Sequence, residues 1–233
     1  MKLSVLAGMM LLVSSATIKA QDADGILHKY IDAIGGIDKL TSIKTIKMTG
    51  SSQVQGMDIK YTQTMNLGTA MKVDYSVMGM TGYSVITTTE GWQFNPQTSK
   101  VESMTADQVK MAQPQLNMIG GDIFNYKTNG SKVEYLGKDS ANKAFCYKVK
   151  FTAKDGSVST QFFDTQTYYL VHTESKVKVE EQEIDVVINY SDYKKLPEGI
   201  AMPMTVSSQQ GDVTFTSIEI NKPIADSVFK RSN

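Results

Sequence analysis

The side chains that could do chemistry in this chain are few, and their spacing does not favour it. His28 and His172 are the only histidines. No H-x-x-x-H or H-E-x-x-H pairing joins them, so neither reads as a zinc ligand. A serine hydrolase could use either as a base, but the chain has no G-x-S-x-G elbow. Cys146 is the single cysteine, which excludes an intramolecular disulfide, and it has no Cys or His neighbour with which to share a metal. Its setting, Phe145-Cys146-Tyr147-Lys148-Val149, is a strand pattern, so it reads as a small strand residue rather than a reactive thiol. Glu180, Glu181, Glu183 and Asp185 form a carboxylate cluster. Paired acids can serve glycoside hydrolysis or calcium binding, yet Glu181-Gln182-Glu183 also reads as the solvated tip of a hairpin. With no P-loop and no G-x-G-x-x-G, we expect no catalytic residue, no metal site and no cofactor: not an enzyme.

Charge narrows the partners further. Lys+Arg and Asp+Glu are equal at 24 each. A nucleic-acid binder needs a net basic face, so none is expected here. Arg231 is the only arginine, so bidentate clamps on carboxylate or phosphate are not expected in the body of the chain.

The elements that must hold these groups are mostly strands. Phe162 to Ile220 alternates apolar and polar residues almost throughout: Val177 and Val179; Ile184, Val186, Ile188 and Tyr190; then Ile200, Met202, Met204 and Val206 after the Pro197-Glu198-Gly199 turn. Alternation of this kind marks a sheet with one buried face and one wet face. The front half repeats it through Met57 to Met65, Met71 to Val77 and Tyr83 to Thr87, followed by Trp92 and Phe94. Val213 and Phe215 keep one parity but Ile218 and Ile220 keep the other, so we expect a β-bulge near Thr216-Ser217.

Helices are fewer. Ile26, Leu27, Tyr30, Ile31 and Ile34 recur at helical spacing, so Asp24 to Gly36 should be a helix capped by Asp22 or Asp24 and stopped by Gly35-Gly36. Thr105-x-x-Gln108 is a capping box for a helix over about 106–112, ending near Pro114. Gln115 to Tyr126, with Leu116, Met118, Ile119, Ile123 and Phe124, reads as a second short helix and a lid. Lys2 and the apolar run Leu3 to Val13 form a leader too short to span a bilayer, with a cut expected after Ala20 and no cysteine there for a lipid anchor. The expected organisation is therefore a 1–20 signal peptide and a single 21–233 domain, exported and periplasmic.

An antiparallel sheet of around ten strands must curl, and a few helical turns cannot cover its concave face tightly. The fold class is mainly β, an unclosed barrel whose concave face is covered by short helices. The residues assigned to that face are soft and aromatic: Met57, Ile59, Tyr61, Met65, Val73, Tyr75, Tyr83, Trp92, Phe94, Leu116, Met118, Met202 and Met204. Methionine adapts to variable apolar partners, so these line a candidate apolar cavity. A methionine-rich but filled core, serving as an envelope interaction module with no ligand, is the alternative.

Particular segments resemble a known family. They are Tyr168-Tyr169-Leu170-Val171, Ile188 to Lys194, Leu196-Pro197-Glu198-Gly199-Ile200-Ala201-Met202-Pro203, the ending Ile220 to Phe229, and the opening Tyr30-Ile31-Asp32-Ala33-Ile34-Gly35-Gly36. The chain resembles the LolA/LolB-like superfamily of outer-membrane lipoprotein-sorting and carrier proteins over most of its mature length, with the flavour of exported Bacteroidetes-type members. That resemblance implies lipid or lipoprotein acyl chains held between sheet and helices, with an envelope membrane protein as a possible further partner. The sheet arginine that holds the lid shut in the lipoprotein carriers has no match here. Another lipid therefore stands beside the lipoprotein acyl chain as the ligand to expect.

Overall fold

The structure is a computed structural model describing residues 15–54, 56–117, 119, 123–179, 182–209 and 211–231. Residues 1–14, read from the sequence as part of a leader, lie outside these, as do Met118, Glu180 and Glu181. Two helices come first, α1 (Ser15–Ala33) and α2 (Ile37–Thr41). Six strands follow: β1 (Thr45–Val54), β2 (Met57–Asn66), β3 (Ala70–Val77), β4 (Met80–Thr87), β5 (Gly91–Asn95) and β6 (Lys100–Ser103). A lid segment then carries α3 (Ala106–Ala112), a 3-10 turn (Gln113–Asn117) and α4 (Tyr126–Asn129). Seven strands return: β7 (Lys132–Ala141), β8 (Ala144–Thr152), β9 (Val158–Asp164), β10 (Leu170–Val179), β11 (Gln182–Lys195), β12 (Ala201–Ser208) and β13 (Gly211–Ile220). A last 3-10 turn, Asp226–Phe229, ends the described chain.

All the strands join one antiparallel sheet in the order β6-β5-β4-β3-β2-β1-β13-β12-β11-β10-β9-β8-β7. Each hairpin neighbour pairs locally, and one long-range pairing, β1 with β13, joins the two meanders. The chain starts at mid-sheet, runs out to the β6 edge, crosses to the β7 edge through the lid, and comes back. Edges β6 and β7 do not pair with each other, so the barrel stays unclosed.

The expected bulge is present. Thr49 pairs with Ser217 and Gly50 with Phe215, leaving Thr216 as the extra residue. Its hydroxyl donates to the Thr49 carbonyl oxygen at 3.2 Å. Phe215, Ile218 and Ile220 thereby all reach the covered face and are buried. Gly50 opposite the bulge has no room for a side chain, since a Cβ there would stand 2.4 Å from the Thr214 carbonyl oxygen.

Helix α1 lies on the covered face. Ala23, Ile26, Leu27, Tyr30 and Ile34 form one stripe at helical spacing and are buried against Ile46, Met48, Val149, Phe163 and Leu170. The helix begins at Ser15, earlier than Asp24, and the expected cut after Ala20 falls within it. Its C-terminal end is anchored where the Ala201 N–H donates to the Ile34 carbonyl oxygen at 3.0 Å. Gly35 at that junction has a φ of 133°, and a Cβ there would meet Gly199 and Ile200 backbone atoms at 3.2 Å. Helix α3 matches its expected span and carries the full capping box between Thr105 and Gln108. Its neighbour differs. Of the short helix and lid expected over Gln115 to Tyr126, the described residues show the 3-10 turn Gln113–Asn117, which starts at Pro114's neighbour, and α4 from Tyr126, while residues 118 and 120–122 lie outside them.

Candidate functional site

The covered face divides into a filled half and an open half. Over β2–β4 the lid packs down. Met65, Met71, Ile86 and Leu116 are buried together, with Leu67, Val73, Met104 and Ala112 against them. The lid backbone is tied there, because the Gly68 N–H donates to the Leu116 carbonyl oxygen at 2.8 Å. Gln113 Nε2 also donates to the Thr88 carbonyl oxygen at 2.7 Å.

Over β8–β13 a cleft of about 550 Å³ remains. Helix α1 and the following turn supply Tyr30, Ile34 and Leu40. The sheet supplies Met48, Phe151, Leu170, Tyr190, Tyr193, Met202, Val206 and Phe215, and the lid supplies Ile119 and Ile123. Val158 and Val177 border it at the β8–β9 and β10–β11 hairpins. Both are exposed there, as is Ile184, which pairs with Val177 across the ladder. The cleft thus opens to solvent through an apolar rim at the hairpin end of the sheet.

Its walls are uncharged. Burial pushes the Tyr30 phenol well above the ordinary tyrosine range, with the neighbouring Tyr190 adding to the effect. Burial does the same to Tyr193, whose hydroxyl donates to the Leu170 carbonyl oxygen at 2.8 Å. Tyr169 stacks on the Tyr193 ring at 4.2 Å. The only charged lining residue is Lys176 at the rim, which faces Glu183 at 3.6 Å and Asp185 at 3.9 Å. Those two acids of the carboxylate cluster are exposed and serve as its counter-charges.

Ser157, Ser159, Thr173 and Ser175 line the cleft, and among the described residues no histidine or carboxylate lines it with them. His172 lies elsewhere, with its Nδ1 2.7 Å from Asn189 Oδ1 and its ring edge-on to Phe162. His28 is exposed on α1. Cys146 is fully buried, burial pushes its thiol up, and it faces the Ala141 and Ala144 carbonyls. Among the described residues no group of three His, Cys, Asp or Glu could hold a metal ion.

Of the thirteen residues assigned to the concave wall from the sequence, Met202 borders the cleft. Met204 is buried in the main core beside it. Met65, Val73 and Leu116 belong to the filled half. Tyr61 and Tyr75 share the covered face, where Tyr61 packs edge-on against Phe215 and its phenol is pushed by burial to about 12. Met57 and Ile59 lie at the β1–β2 hairpin, Met57 exposed and Ile59 half-buried. Tyr83, Trp92 and Phe94 have to be corrected. The register pairs Asp74 with Tyr83 and Tyr83 with Phe94, which sets them on the outer face. There the C-terminal tail lies across the sheet, burying Ala70, Val85 and Trp92 under Phe229, Ile224 and Val228. Both faces of β3–β5 are therefore apolar, and alternation alone does not say which one faces the helices. Met118 lies outside the described residues.

The residues that sequence reasoning passed over are Tyr30, Phe151, Gln161, Leu170, Thr173, Tyr190, Tyr193 and Phe215. Their parity was legible, but not which half of the sheet the lid leaves open. A larger depression of about 1130 Å³ lies on the outer face, with Lys60, Thr62, Asp74, Tyr83, Phe94 and Arg231 among its borders. Tyr61 and Tyr75 also border it. It is more open than the smaller cleft and carries Lys60, Asp74 and Arg231 on its border, so it encloses an acyl chain less well than the smaller cleft does.

No protein-family model matches the sequence, and no curated protein matches it either. Solved structures do share the fold. A DUF1329 family protein from Desulfovibrio piger superposes with a TM-score of 0.60 at 11% identity, over 89% of this chain and 97% of its own. A LolA superfamily protein from Nitrosomonas europaea gives 0.56 at 12% identity, over 90% and 97%. An outer membrane lipoprotein-sorting protein domain from Vibrio parahaemolyticus gives 0.54 at 11% identity, over 90% and 97%. The chain has the LolA-like fold: a large, unclosed antiparallel sheet with short helices on its concave face.

Proposed function

We propose that this LolA-like sheet is a non-enzymatic binding protein or carrier of the bacterial envelope, taking a lipid or lipoprotein acyl chain into the cleft between α1, the lid and β8–β13. The observation that carries the reading is that cleft: about 550 Å³, walled by apolar and neutral aromatic groups, and open at the exposed Val158, Val177 and Ile184. Its volume lies within the roughly 300–1,000 Å³ range of small-ligand sites. Burying a methylene there is worth about 0.8 kcal/mol, so even a partly inserted chain of eight carbons would bind usefully. The fold neighbours add support, since one is an outer membrane lipoprotein-sorting protein domain. Residues 21–233 act as the one lipid-binding domain, exported to the periplasm by the leader. Outer-membrane lipoprotein sorting, or other envelope lipid handling, is the process it serves.

Native mass spectrometry of the protein purified from its own host tests the reading, together with uptake of a fluorescent fatty acid. We expect co-purified lipid and saturable uptake. Repeated absence of both, with the cleft filled by side chains in a crystal structure, would overturn it in favour of an envelope interaction module without ligand.

A further inference from the structure

The cleft is not apolar throughout. Gln161 on β9 points into it, is 8% exposed, and its Oε1 has no hydrogen-bond partner among the described residues. Buried polar atoms are almost always paired, because leaving one unpaired forfeits its hydration without return. On its β8 side Gln161 pairs with the fully buried Val149, but on its β10 side the neighbours are polar. It pairs across the ladder with Thr173, and Ser159 pairs with Ser175. All four border the cleft. The Tyr190 hydroxyl lies beside Thr173. The rest of the wall around this patch is Tyr30, Met48, Phe151, Leu170 and Phe215.

The patch has a definite depth. Gln161 stands three residues along β9 from the rim at Val158, or roughly 10 Å at 3.3–3.4 Å per residue. Leu170, paired with Phe163, lies beyond it on the closed side. A ligand chain therefore crosses an apolar rim, then a band of uncharged hydrogen-bonding groups, then an apolar end. A plain alkyl chain would lie across that band with Gln161 still unpaired. The patch holds no charged side chain, and Lys176 at the rim already faces two acids, so a neutral donor suits the band better than an ionised headgroup.

Resting on the lipid-binding reading above, we infer that the preferred ligand is an acyl chain with a neutral hydrogen-bond donor within its length, a hydroxyl or an amide N–H, and that Gln161 is the residue that selects it. The donor makes a hydrogen bond to Gln161 Oε1, which accepts it, with Thr173, Ser159 and Ser175 completing the polar band.

Delipidated full chain, titrated against octadecanoic acid and 10-hydroxyoctadecanoic acid by displacement of a fluorescent fatty acid, tests this, because a mid-chain hydroxyl reaches the band while the carboxylate stays at the rim. The wild type should bind the hydroxylated chain about five- to tenfold more tightly, the value of one net hydrogen bond. In Gln161→Leu the ratio should fall to about one, and in Thr173→Val it should fall partway. Equal binding of the two acids by the wild type overturns the inference and leaves lipid binding standing. A preference that survives in Gln161→Leu overturns the role of Gln161. Binding of neither acid overturns both this inference and the lipid-binding reading. The wild-type ratio decides the ligand class even if the variant does not fold.

Discussion

Single side chains in this protein do their work through where they are buried. Cys146 is sealed between β7 and β8 with its thiol pushed up by burial, so a thiol reagent should leave the native protein unmodified and label it only on unfolding. Mass spectrometry with and without denaturant checks this. Asp24 on α1 is the opposite kind of group. Burial alone would raise its carboxyl, but hydrogen bonds from Lys127 and Tyr126, with the Lys127 charge, outweigh that and hold it below the ordinary range. These contacts dock the far end of the lid onto α1. A depressed folded-state value stabilises above the ordinary aspartate range near 3.9 and loses that stabilisation as pH falls through the lower folded value. The pair is partly exposed, so its contribution is below about 1 kcal/mol. Asp24→Asn should therefore lower the protection factors of the α4 amides at neutral pH, and acidification of the wild type through the folded-state value should lower them too once the slower intrinsic exchange is divided out. Hydrogen-exchange mass spectrometry reads both.

Elements carry the next layer of argument. The capping box at Thr105 starts α3 where the chain leaves β6 to cross the sheet. Thr105→Ala should cost about 1 kcal/mol in a denaturant melt, and should loosen the cluster of Met65, Met71, Ile86 and Leu116 that the lid covers. Gly35 joins α1 to the turn before β12, at a backbone angle and a spacing that exclude a side chain. Gly35→Ala should destabilise by roughly 1–3 kcal/mol, through strain and through displacement of Ile200. The bulge at Thr216 acts at the same scale. One extra residue lets β13 present Phe215 on one side of it and Ile218 and Ile220 on the other to a single core. Removing Thr216 alone would keep those assignments while flattening the local twist, whereas an insertion elsewhere in β13 would turn its later side chains over.

At the scale of the whole molecule, the sheet is a wall built from two meanders, and the lid joins their far edges. Anything that binds the folded cleft stabilises the whole fold by mass action. A saturating acyl ligand at about a hundred times its Kd should add about 2.7 kcal/mol, a rise in Tm of roughly 5–10 °C for a chain of this size. A thermal melt with and without ligand measures it. Thr173→Phe, which places a ring in the cleft, should abolish most of that rise.

Much of the fold was legible because it is written in local rules. Strand alternation, the Thr105 box, the glycine stop after Ile34 and the parity slip at Thr216 each depend on residues close in sequence. Alternation says that two faces differ, but not what covers each. Tyr83, Trp92 and Phe94 alternate as well as Tyr61 and Tyr75 do, yet the register sets them on the outer face, where the C-terminal tail packs on Trp92 and Tyr83. Which half of the covered face is packed and which stays open depends on where the lid lands. That is set by contacts between residues far apart in the chain, such as Gly68 with Leu116 and Asp24 with Tyr126. The sequence by itself thus determined a large curled antiparallel sheet with an alternating apolar face. Only the tertiary structure decided that its open cleft lies over β8–β13, with Gln161 Oε1 left without a partner among the described residues, because burial there is a property of the assembled surfaces and not of any one segment.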